Sequence, residues 1–115
     1  MGGYLLPLNE SVSVVLNGSG GGTVTLGPSN ASQQWVPSNL ACSVTSNNSE
    51  PIFVAYNGSA SNANRIGGTY TGSNDNTDVN GVTLYPGSVV TGVWTNGDPG
   101  ATATMSIQGV VNRNP

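Results

Sequence analysis

Histidine and lysine are both missing from this 115-residue chain, and its only cationic side chains are Arg65 and Arg113. Without them the commonest general base, the orienting imidazole of a nucleophilic triad and the Schiff-base amine are unavailable. Two cations cannot neutralise a run of phosphates, so nucleic acid is not expected as a partner. No polybasic stretch suits an anionic membrane surface, and no apolar run approaches a membrane-spanning length. The segment Met1-Gly2-Gly3-Tyr4-Leu5-Leu6-Pro7-Leu8 lacks a basic start and a sustained apolar region, so no secretory signal is expected. The single cysteine, Cys42, excludes an internal disulfide; beside Leu40, Ala41 and Val44 it reads as a buried thiol suited to a reducing cytoplasm.

Strong helix formers are also scarce, with 7 Leu, 7 Ala, 2 Glu and no Lys. A long stable helix is therefore not expected. What is abundant is 17 Gly, 15 Asn, 14 Ser, 14 Val and 11 Thr. Valine and threonine suit a pleated surface, while glycine, asparagine and serine supply turns. Disorder would call for a higher net charge than -3 and fewer apolar clusters, so a folded all-β chain is expected. The length suits one domain with a core of its own.

Short apolar runs alternate with turn signals. Val12–Leu16 closes at Asn17-Gly18 and a run of glycines, expected to form a long, mobile loop. Thr23–Leu26 stops at Gly27-Pro28. Gln34-Trp35-Val36 is separated from Leu40–Thr45 by Pro37, which cannot donate to a ladder and so marks an edge or a bend. Ile52–Tyr56 is the densest run and reads as a central strand. Residues 57–81 are irregular, with short strands possible at Arg65-Ile66 and Thr69–Thr71. Val82–Leu84 leads to Tyr85-Pro86-Gly87, a turn in which proline presets φ and glycine accepts a positive one. Val89–Trp94 follows. In 101–110, Ala101, Ala103, Met105 and Ile107 alternate with Thr102, Thr104 and Ser106, the pattern of a half-buried strand. The total is about eight or nine short strands, which predicts a single β-sandwich of jelly-roll type. Residues 1–11 read as an N-terminal arm, 12–111 as the sandwich and 112–115 as a tail.

Candidate chemistry is thin. The acids are Glu10, Glu50, Asp75, Asp78 and Asp98. Asp75 and Asp78 could form an acid–base pair, but they stand in an Asn-rich turn with nothing apolar to raise either pKa. Asn74–Gly81 resembles the first half of an EF-hand loop, yet Gly87 stands where the bidentate glutamate belongs. Neither metal nor cofactor is expected. Five sequons, at Asn9, Asn17, Asn30, Asn47 and Asn57, are what an Asn-, Ser- and Thr-rich chain contains by chance. Trp35 and Trp94 lie within apolar runs and are expected in the core, while Tyr4, Tyr70 and Tyr85 are freer to serve an interface.

Several blocks carry a resemblance: Gly68–Gly72, Asp75 with Thr77-Asp78, Leu84-Tyr85-Pro86-Gly87 and, above all, Val93–Thr104. Thr25–Ser29 and Trp35 extend it upstream. In these blocks, spanning roughly residues 22–110, the chain resembles a family of small β-rich virion proteins of actinobacteria-infecting phages. The resemblance implies a non-enzymatic virion structural protein, expected as a capsid decoration (cement) protein on the head surface, made in the host cytoplasm. It supplies no catalytic residues. Its partners would be the major capsid protein and copies of itself, by analogy as a homotrimer. The assembly interface is expected at Tyr4, Leu5, Leu6 and Leu8, four large apolar residues in the arm. The alternative is a tail or fibre component, including a carbohydrate-binding or adhesin module; an enzyme working through Asp75 and Asp78 comes third.

Overall fold

A chain with no strong helix signal satisfies its backbone polar groups by pairing strands, and here nearly every apolar run does so. The computed structural model describes residues 4–28, 31–45, 51–69, 74–79 and 81–113. Its elements are β1 (Tyr4–Val15), β2 (Gly22–Leu26), β3 (Gln33–Val44), β4 (Ile52–Asn57), a single 3-10 turn (Asn62–Asn64), β5 (Arg65–Thr69), β6 (Asn74–Asp78), β7 (Val90–Thr95) and β8 (Thr102–Arg113). They form two four-stranded sheets, β1-β8-β3-β6 and β2-β7-β4-β5. Strand 1 pairs antiparallel with 8, 2 with 7, 3 with 6 and 4 with 5. The chain is thus one long hairpin rolled into a sandwich, which is the jelly roll.

The core follows from period-two alternation. On β8, Ala103, Met105 and Ile107 are each 0 % exposed and meet Val90, Trp94, Phe53 and Ala55 from the other sheet. Burying a side chain the size of Met105, Ile107 or Phe53 contributes roughly 1.5–3 kcal/mol. Trp94 packs on Phe53 with ring centroids 4.9 Å apart, tilted at 44°. Small residues make room: Gly22 lies beside Trp94 in the β2–β7 register and Gly92 beside Ala55 in the β4–β7 register.

Three strands are longer than the sequence suggests. β1, β3 and β8 each run 12 residues, whereas the strands of the other sheet run five or six. At about 3.3 Å per residue the first sheet extends well past the second, and the molecule measures 53 × 25 × 21 Å. The extra length is covered by the chain after β6: Val79, Val82 and Leu84 are buried, as are Trp35, Pro37, Val111 and Leu8. Leu84 holds this cover in place, exchanging both backbone hydrogen bonds with Trp35 at 2.8 and 2.9 Å.

Pro37 neither ends a strand nor lies on an outer strand. It sits inside β3, next to a bulge between Pro37 and Asn39. Trp35 turns its N–H and C=O to Leu84. By alternation Pro37 turns the same way, so its missing N–H takes nothing from the β8 ladder. The bulge also changes parity: Trp35 and Pro37 are buried at odd positions, Leu40, Cys42 and Val44 at even ones. Gly109 lies opposite, and a Cβ there would strike the Val36 carbonyl oxygen and sit 2.7 Å from the Pro37 Cα.

Two further expectations change. The glycine run after β1 is a short hydrogen-bonded turn rather than a long loop, exposed at 17–19 and buried at Gly20. The Asn17 Oδ1 accepts from Ser19 N and Gly21 N at 2.9 and 3.1 Å, and Gly20, at φ +77°, is buried against Gly97. The Asn-rich stretch Asn74–Asp78 is an edge strand, not a turn, paired with β3 from Asn39 to Ser43.

Candidate functional site

Among the described side chains, the acids do not converge on a catalytic or metal-binding group. Glu10 is exposed on β1, Asp78 is exposed at the end of β6, and Asp98 is half-buried in the β7–β8 turn. Asp75 belongs to the β6 ladder, opposite Cys42, so the Asp75–Asp78 segment is spent on strand pairing. Glu50, Asn80 and the side chain of Asp75 lie outside the described residues. Among the described residues no three His, Cys, Asp or Glu side chains gather, and no pocket opens. Cys42 is buried and makes no disulfide.

The two tryptophans do not form a binding platform: Trp94 is 0 % and Trp35 7 % exposed. The Trp94 indole N–H is buried without an acceptor. Tyr85 is 53 % exposed at the tip of a turn, where Ser88 N donates to Tyr85 O at 2.8 Å and Gly87 takes φ +89°. That is the turn expected of Tyr85-Pro86-Gly87. Tyr70, and the side chain of Tyr4, lie outside the described residues. The block that carries the resemblance most strongly, Val93–Thr104, is the β7–β8 corner. Gly97 N donates to Gly20 O at 2.9 Å and Gly100 N to Leu16 O at 3.0 Å, tying this corner to the β1–β2 connection.

Residues 4–11, expected as an arm, continue β1 in register with β8, from Tyr4 opposite Arg113 to Ser11 opposite Ser106. Leu8 is 3 % exposed and belongs to the core, and Leu6 packs partly against it. As the chain is folded, Leu8 cannot dock on a neighbour. The side chain of Leu5 lies outside the described residues.

What the fold does assemble is a face. On the solvent side of the long sheet, Pro7, Val110 and Val36 line up across three strands, followed by Asn9, Gln108 and Asn39, then Ser11, Ser106 and Ala41, then Ser13, Thr104 and Ser43. The amides form a chain: Asn39 Nδ2 donates to Gln108 Oε1 at 2.9 Å, and Gln108 Nε2 to Asn9 Oδ1 at 3.4 Å. Ser13 and Thr104 hydroxyls meet at 2.8 Å. Asp78, opposite Asn39, is the one charge among the described side chains of this face. Such a surface offers paired donors and acceptors with little charge, so it can be covered without stranding an ion. Sequence reading missed it, although the alternation Asn9, Ser11, Ser13 against Leu8, Val12, Val14 was visible.

Fold and surface together define a jelly-roll β-sandwich with a polar, little-charged outer face on its long sheet. No protein-family profile and no curated protein matches the chain. Solved structures of infectious bursal disease virus are similar to it at a low level. The Gt strain structure is 10% identical with a TM-score of 0.34, over 96% of this chain and 32% of the matched chain. The Gx strain structure is 9% identical with a TM-score of 0.32, over 98% and 36%. The chain thus spans about a third of the length of the chains it matches.

Proposed function

We propose that this protein is a non-enzymatic structural component of a phage particle: a capsid decoration protein on the head surface, binding between major capsid subunits. The observation that carries this reading is a complete eight-stranded jelly roll whose surface is nearly free of charge and whose two tryptophans are spent on its core. Jelly rolls serve viral capsids, lectins and cupins, and the fold alone does not choose among them. The side chains favour the first. A cupin-type metal site needs ligands that a chain without histidine supplies poorly. A sugar platform needs exposed aromatic faces, and Tyr85 is the exposed ring among the described residues. A coat component needs shape and neutral surface, and the little-charged outer face of the long sheet supports that reading. The resemblance to virion proteins of actinobacteria-infecting phages points the same way.

The test is mass spectrometry and cryo-electron microscopy of purified particles. The expected result is a copy number matching the head lattice, with density between capsid subunits. Density confined to the tail would support a tail or fibre role instead. Absence from particles, together with retention on a glycan array, would replace the virion reading with an adhesin.

A further inference from the structure

A sandwich has four edges, and three of them here are short. β2, β5 and β6 are five residues long; β5 carries Arg65 and β6 carries Asp75 and Asp78. Short length and charge are the usual means of preventing edge-to-edge pairing. β1 is the exception, at 12 residues. Its alternation is set by Leu16, whose N donates to Ala101 O at 2.8 Å and whose O accepts from Gly100 N at 3.0 Å. Even-numbered residues of β1 therefore turn their backbone groups to β8, and the odd-numbered ones turn theirs outward. Pro7 is odd, so the edge lacks a donor at that point. From Asn9 to Val15, every outward residue keeps both its N–H and its C=O.

We propose that this stretch, residues 9–15 of β1, pairs antiparallel with the same stretch of a second copy, joining two four-stranded sheets across a twofold axis. The free edge is symmetric about Val12, bounded by Pro7 on one side and the end of the strand on the other. A register centred on Val12 sets Ser11 opposite Ser13 of the second copy and Asn9 opposite Val15, each pair exchanging two ladder bonds. The charges agree with a self-pairing: Glu10 falls opposite Val14, well away from its own copy, and no countercharge is required. Val15, 64 % exposed and the most exposed large apolar side chain described, gains Asn9 as its cross-strand neighbour and Pro7 as its diagonal one. The resulting sheet of eight strands is within the ordinary range. The contact is isologous and closes at two copies, so a threefold cluster would need another surface. This proposal goes beyond the virion reading and does not depend on it.

The test uses the full chain in solution. Sedimentation equilibrium across the micromolar range is expected to give the mass of two chains. Ser11→Pro removes only an outward N–H, and should weaken association at least tenfold with the melting temperature recorded as a check on folding. Register is read by cysteine cross-linking. Opposed residues of a pair not bonded to each other lie about 4.5 Å apart at Cα, inside the roughly 4.4–6.8 Å span of a disulfide. Val12→Cys should therefore cross-link to itself on mild oxidation, and Ser13→Cys should not; buried Cys42 gives no background. A monomer at all concentrations, a three-chain mass, or cross-linking of Ser13→Cys in place of Val12→Cys would overturn the proposal. These measurements need no particles, so the dimer and the virion role stand or fall separately.

Discussion

Replacing Gly92 with alanine adds one methyl group where the two sheets meet. The new Cβ would lie 2.7 Å from Met105 Sδ, 2.8 Å from Phe53 Cε1 and 3.2 Å from Phe53 Cζ. Met105 is 0 % and Phe53 1 % exposed, and Phe53 is itself held against Trp94. The methionine can shift, but the phenylalanine ring has nowhere to swing. Overpacking of this kind costs about 1–3 kcal/mol, offset by the roughly 0.4–1 kcal/mol that alanine gains by stiffening the unfolded chain. A net loss of about 1–2 kcal/mol lowers the melting temperature by roughly 4–8 °C per kcal/mol in a domain near this size. Urea unfolding followed by tryptophan fluorescence should show a lower midpoint with an unchanged slope. Met105→Ala alone should cost about 2–5 kcal/mol. Combined with Gly92→Ala it should cost less than the two separately, with a coupling above roughly 0.5 kcal/mol. A wild-type midpoint for Gly92→Ala, or strict additivity in the double variant, would refute the packing argument.

Trp94→Ala should destabilise by about 3–5 kcal/mol, and native fluorescence should be blue-shifted and unmoved by oligosaccharides, because both indoles are buried. Gly109→Ala should cost about 1–3 kcal/mol by forcing the bulge opposite it apart, measurable as a fall in the urea midpoint. Deleting Ser38 should be worse, since removing the bulge inverts the parity of one half of β3 and turns either Trp35 or Leu40, Cys42 and Val44 outward; loss of near-ultraviolet circular dichroism reports it. The melting temperature should be the same in EDTA and in excess calcium, because Asn74–Asp78 is a paired strand; a rise of several degrees with calcium would show a site there.

Much of this fold was legible in local pattern. The strand alternation of residues 101–107, the turn at Tyr85-Pro86-Gly87, the core placement of Trp35 and Trp94 and the all-β sandwich itself all follow from residue type and period, because side-chain burial repeats every two residues along any half-buried strand. The count of about eight or nine strands is met by the eight observed.

Tertiary structure alone decided the rest. Whether Tyr4–Ser11 is an arm or a strand depends on β8, about a hundred residues away in sequence, offering a ladder that runs to Arg113. Whether Pro37 breaks a strand depends on which neighbour its nitrogen faces, and Leu84 settles that. Asn74–Asp78 has the composition of a turn and becomes a strand because β3 leaves the edge from Asn39 to Ser43 open to it. The same holds for function. Residue types bore on chemistry before any fold was known, since the sequence contains no histidine and no lysine. The neutral face and the one long edge strand exist only once strands distant in sequence lie side by side, because a surface is made by pairing and pairing is not local.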